Sequence, residues 1–206
     1  MCFRNIESFS GTKQEFDIID FSVIRQAMIH EEKKSTIFNL SLLPEPDFSR
    51  ALIAFSEALS GVRAGDYVLG RHSLPHVTVL QFAGQEHEAM SLWDRLKEMR
   101  NRIFYIDYLG LALDPWDQSY CLSLRVRKTR ELENLQNEAL RLFDRRAYFN
   151  GLGADYDPHS TLLAWDAGSS IPSFPVDRQL LGRRGVKAHL SLGLSGPRFQ
   201  FARSLF

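Results

Sequence analysis

With 25 basic and 25 acidic side chains among its 206 residues, the chain carries no formal net charge at neutral pH. That balance excludes a polycation built to wrap nucleic acid over its whole surface, though a local basic site is compatible with it. An apolar fraction of 44% and a charged fraction of 24% are ordinary for a globular protein, and the length allows one large domain or two small lobes.

Two cysteines, Cys2 and Cys121, make neither a disulfide framework nor a metal-binding spacing, which points to a reducing, cytoplasmic setting. The first residues, MCFRNIESFSGTKQEFD, lack the apolar core of a secretory signal. No apolar run approaches the roughly 20 residues that a membrane-spanning helix needs.

Residues 1–35 read as an extension in which Phe16, Ile19, Val23 and Ala27 lie along one face of a helix running to His30. Thr36–Leu43 reads as a buried strand stopped by Pro44 and Pro46. Asp47 is the expected cap of a helix carrying Ala51, Leu52, Phe55, Ala58 and Leu59, closed by Gly61. A short extended piece, Tyr67–Leu69, precedes the strand HVTVLQF at 76–82. Residues 85–100 follow as a helix, 103–113 as one long strand and 120–127 as its hairpin partner across DPWDQ. Thr129 caps a helix to about Arg146 with Leu132, Leu135, Ala139, Leu142 and Phe143 as its stripe. The loop YFNGLGADYDP then leads into HSTLLAW at 159–165. After the turn-like GSSIPSFP, the tail supplies a strand from Lys187 and a last piece, FQFARSLF. Many strands with a few moderate helices define an α+β fold.

The second half repeats the first in order: strand, helix, loop, then a strand opening with Pro-His-x-Thr. His76 and His159 are 83 residues apart, as are Thr78 and Thr161. An internal duplication arranged as two facing lobes accounts for this spacing. On a strand, residues two apart share a face, so each copy presents an imidazole and a hydroxyl to one side. Four such groups in one cleft suit transfer at phosphorus. One imidazole accepts a proton from water, the other donates one to the leaving sugar oxygen, and the hydroxyls bond the non-bridging oxygens. His159 is the expected base and His76 the expected acid. The bland alternative gives the histidines to sheet hydrogen bonds and the threonines to strand propensity.

PHVTVLQF and PHSTLLAW resemble the two HxT signatures of the two-histidine (2H) phosphoesterase superfamily, which includes bacterial RNA-ligase-like proteins and cyclic phosphodiesterases. The resemblance covers residues 36–206 and leaves the extension outside. It implies a bilobal, pseudo-twofold α+β fold with antiparallel sheets lining a central cleft and helices outside. It also implies hydrolysis of a 2′,3′-cyclic nucleotide or RNA terminal cyclic phosphate without a metal. His76 and His159 would be catalytic, and Thr78 and Thr161 would hold phosphate.

Around these motifs, Arg71 and His72 approach the first histidine, and Tyr156 and Asp157 the second. Arg183 and Arg184 form a possible anionic subsite, and His189 in HLSL offers a third, partial motif. Phe149 and Trp165 are candidates for an aromatic wall. No GxGxxG, Walker loop or HExxH occurs, so no cofactor and no metal are expected. Zero net charge favours a small nucleotide or an RNA end over an extended duplex, and no membrane partner. The rival readings are an RNA-end-binding or ligase-like protein and a catalytically inactive interaction domain.

Overall fold

The structure, a computed structural model of the chain, describes residues 36–60, 67–70, 72–116, 118–143, 148–166, 168 and 180–206. The helix expected over Phe16–His30, the stop at Gly61 and most of GSSIPSFP lie outside these residues. The described residues fall within one compact unit, Ser35–Phe206. Among them no helix is long and apolar enough to cross a membrane.

Two antiparallel sheets organise this unit. The first is built from β1 (Thr36–Pro44), β3 (Val77–Gly84), β4 (Ile103–Ile106), β8 (Val186–Ser195) and β9 (Phe201–Ser204). Its order is β3-β1-β8-β4, with β9 also paired to β8. The second runs β2-β7-β6-β5, from β2 (Tyr67–Val68), β5 (Tyr108–Trp116), β6 (Ser119–Val126) and β7 (His159–Asp166). Among the described residues four α-helices accompany them: α1 (Pro46–Ser60), α2 (Glu86–Arg95), the short α3 (Lys97–Arg100) and α4 (Arg130–Leu142). This α+β arrangement is the expected class.

Period-2 patterning explains the first sheet. Phe38, Leu40 and Leu42 share one buried face of β1 and meet Phe82, Leu80, Leu190, Leu192 and Leu194 across the ladders. The other face of β1 carries Asn39 and Ser41, which are also buried. In α4, Thr129 caps the helix by accepting from the Leu132 amide, and Leu132, Leu135 and Ala139 turn inward together with Gln136.

Several boundaries differ from the sequence expectation. The long strand over 103–113 is two strands in different sheets, broken at Asp107. The Asp107 carboxylate accepts from the Gly185 amide and pairs with Arg127, and these tertiary bonds turn the chain between sheets. Helix α1 begins at Pro46, which suits a first helical position because its missing N–H needs no partner. The Glu45 carbonyl accepts from the Ser49 amide, so Asp47 sits in the first turn and is not the cap. Ala51 and Ala58 of the expected stripe face outward, and Ser56 is buried beside Leu52, Phe55 and Leu59 instead. The helix over 85–100 divides at Leu96, and α4 ends at Leu142 with Phe143 as its C-cap.

Both HxT strands carry the same irregularity. The β1–β3 register shifts so that Val79, just after Thr78, is unmatched. The β6–β7 register shifts so that Leu162, just after Thr161, is unmatched. Each is a β-bulge, a feature that bends a strand and re-aims its side chains.

Candidate active site

A cavity of about 470 Å³ is lined from both sheets, and His76, Thr78, His159 and Thr161 all border it. The alternation of each motif strand accounts for this. Val77 and Val79, like Ser160 and Leu162, are fully buried behind the lining.

The two imidazoles are held alike. His76 Nδ1 lies 2.7 Å from the Leu74 carbonyl and His159 Nδ1 lies 2.8 Å from the Asp157 carbonyl. A carbonyl oxygen only accepts, so Nδ1 carries the proton in both rings and Nε2 is left for other partners. Burial pushes the His76 imidazole down to about 4; the Leu74 hydrogen bond opposes this, and the proximity of the His159 ring adds a smaller lowering. His159 is also lowered, first by burial and then by the Arg125 guanidinium, against a raising effect of Asp114. Burial thus favours the neutral form of both rings.

The motif strands are tied to one another. Ser160 Oγ donates to the His76 carbonyl at 2.8 Å, and Tyr108 supplies the buried Ser160 hydroxyl with a partner at 3.3 Å. The Tyr156 hydroxyl donates to the Thr78 carbonyl at 3.0 Å. Further along, the Gln81 amide donates to Asn150 Oδ1 and its carbonyl accepts from the Phe149 amide. These bonds satisfy the outer edge of β3, which would otherwise present unpaired backbone groups.

The sequence-derived candidates divide accordingly. Tyr156 borders the cavity, but it is buried and its hydroxyl is committed to backbone, which removes it as a phosphate donor. Phe149 lines the cavity and packs against Phe199 at 5.2 Å, whereas Trp165 is core and packs on Tyr120. Four residues named from sequence are exposed and do not line the cavity: His72 on a turn, Arg183 and Arg184 ahead of β8, and His189. His189 sits on β8 opposite Leu43 and Ile103, too far along the strand to share the motif cavity. Arg71 lies outside the described residues.

Other residues that line or flank the cavity were not anticipated. Arg125 stands opposite His159 in the β6–β7 register, bonds Asp114 at 2.8 Å and also pairs with Asp157. The same Asp157 therefore orients the His159 ring through its carbonyl and binds Arg125 through its carboxylate. Ser41 and Ser123 are the ladder partners of Thr78 and Thr161. The recurring triplets Leu40-Ser41-Leu42 and Leu122-Ser123-Leu124 are the sequence signal that would have found them. Cys121 borders the cavity with its thiol 3.8 Å from Thr161 Oγ1, and burial raises its pKa. The Phe201 ring lies 5.6 Å from the His76 ring. It covers Gly193, where a Cβ would fall 2.4 Å from that ring and from the Arg203 carbonyl. Among the described residues no three of His, Cys, Asp and Glu are grouped to hold a metal ion.

The class that this architecture defines is the α+β fold of solved phosphoesterases. One is a structure described as a phosphoesterase, with a TM-score of 0.55, 18% identity, and coverage of 83% of this chain and 93% of that one. Another is Escherichia coli LigT complexed with 3′-AMP, with a TM-score of 0.55, 17% identity, and coverage of 83% and 93%. LigT complexed with NADP+ gives 0.54 and 18% over 82% and 91%. At such identities the likeness defines the fold. No protein-family model matches the sequence, and no curated protein matches it.

Proposed function

We propose that the chain hydrolyses a phosphodiester by a two-histidine acid/base pair, with a 2′,3′-cyclic nucleotide or an RNA terminal cyclic phosphate as substrate. The observation that carries this reading is the matched pair of rings bordering one cavity, each with Nδ1 bonded to a carbonyl and Nε2 left available. Water attacks phosphorus and loses its proton to one Nε2. The bond from phosphorus to one ribose oxygen breaks, and that oxygen takes a proton from the other Nε2–H. Thr78 and Thr161 donate to the non-bridging oxygens as negative charge gathers there. In this reading 36–206 is the catalytic domain, formed by two pseudo-twofold halves, and residues 1–35 are an extension.

Burial lowers both rings, so either Nε2 can begin neutral and take the proton from water, and the other, protonated as the anionic substrate arrives, serves as the acid. The chemistry calls for no metal, and the cytosol is the compartment in which Cys121 stays a thiol. The fold likeness to LigT complexed with 3′-AMP supports a nucleotide-sized ligand.

The test is hydrolysis of 2′,3′-cyclic nucleotides and of an oligonucleotide ending in a cyclic phosphate, with EDTA present. Turnover should persist in EDTA and fall about 10²–10⁴-fold in each of His76→Ala and His159→Ala. Dependence on added metal, or turnover surviving both substitutions, sinks the proposal.

A further inference from the structure

Both β-bulges leave a carbonyl outside its ladder, and each is met by a buried side chain from the other half of the chain. Helix α4, in the second half, sends Gln136 Nε2 to the Val79 carbonyl of β3 at 3.0 Å, and Asn150 Nδ2 adds a longer bond to the same carbonyl at 3.3 Å. Helix α1, in the first half, sends Ser56 Oγ to the Leu162 carbonyl of β7 at 2.5 Å. The two side chains are 1% and 0% exposed, so neither carbonyl can turn to water instead.

Each of these side chains also holds the loop that leads to the histidine of its own half. Ser56 Oγ accepts from the Leu69 amide at 3.0 Å. Gln136 Nε2 donates to the Gly151 carbonyl at 3.1 Å, and Gln136 Oε1 accepts from the Gly153 amide at 3.0 Å. The loop before one histidine is thus joined, through one buried helix side chain, to the residue after the opposite threonine, with Asn150 adding a direct tie to Val79. Gly151 itself borders the cavity, so a ligand pressing on that loop presses on the Thr78 strand.

We infer that Ser56 and Gln136 are positioning residues that set the two threonines crosswise, Gln136 fixing Thr78 and Ser56 fixing Thr161. This rests on the proposed reaction for its kinetic part and on geometry alone for its structural part. A bulge whose carbonyl loses its shorter, buried helix partner relaxes its local pairing, and the hydroxyl one residue earlier leaves its phosphate-facing position. Misplacement on the scale of an ångström can cost about 10²-fold in rate without any contact to substrate.

The experiment uses the full chain and the variants Gln136→Met, Ser56→Ala and Ser56→Thr. Ala139→Gly in α4 serves as a control that weakens the helix without touching a bulge. Backbone amide exchange by NMR should accelerate at residues 78–80 in Gln136→Met and at 161–163 in Ser56→Ala, each leaving the other strand protected. With a 2′,3′-cyclic nucleotide, kcat should fall about tenfold to a hundredfold in both, with Ser56→Thr restoring most of it and Ala139→Gly losing only stability. Exchange that accelerates in both strands together, or kcat loss that tracks thermal stability across all four variants, overturns the inference. If the unaltered chain hydrolyses no cyclic phosphodiester, the proposed function fails, and the crossed exchange pattern still decides this one.

Discussion

At the scale of single residues, His76 makes stability depend on pH. Its folded value of about 4 lies below the ordinary 6.5, so between these values the unfolded chain binds the proton more readily. Stability should therefore drop as pH falls from about 6.5 to about 4, by roughly 3 kcal/mol from this ring if the shift is fully expressed. Urea midpoints across that range check it: His76→Gln should show a flatter profile than the unaltered chain, and an equal slope would count against a buried neutral ring. Arg125 acts on the other histidine. Its guanidinium opposes a charge on His159, so Arg125→Gln should move the NMR titration of the His159 ring to higher pH. A titration that stays put or moves down would mean that the Asp114 and Asp157 carboxylates, not Arg125, govern the ring.

At the scale of elements, the turn before β9 walls the cavity with Arg198, Phe199 and Gln200, and Phe201 at the start of β9 packs against the His76 ring. Phe201 occupies the space over Gly193, so a methyl there collides with both the ring and the Arg203 carbonyl. Gly193→Ala should lower stability by about 1–3 kcal/mol in denaturant unfolding, as overpacking does, and should make the His76 ring easier to protonate by letting water in. An unchanged midpoint would show that β9 shifts freely. The motif strands themselves were legible because period-2 alternation and an 83-residue repeat are local and countable. The break at Asp107 was not, because bonds to Gly185 and Arg127, distant in sequence, impose it. The bulges at Val79 and Leu162 escaped for the same reason: register belongs to a pair of strands, and one strand does not state it. Ser56 and Gln136, polar residues inside otherwise apolar helix faces, were the visible hint that something there needed a hydrogen bond.

At the scale of the whole molecule, the compact unit Ser35–Phe206 contains both sheets and the cavity between their lining residues. A chain lacking residues 1–34 should keep its cooperative thermal transition to within a few degrees and, under the proposed function, its hydrolytic rate to within about threefold. A large loss of either would assign the extension a part in the domain. The candidate site was half legible. The four motif residues were placed by alternation, while Arg125, Asp114 and the serine beside each threonine emerge only once β6 lies next to β7 and β1 next to β3. The first sheet also has a history written into its order. Strand β8 lies between β1 and β4, yet it is made more than 140 residues after β1. On the ribosome β1 and β3 can zip early, but one flank of β1 waits bare until Val186–Ser195 emerges. A stalled or nicked product therefore offers that flank to its neighbours, and the nascent chain, more than the finished protein, is where chaperones are needed.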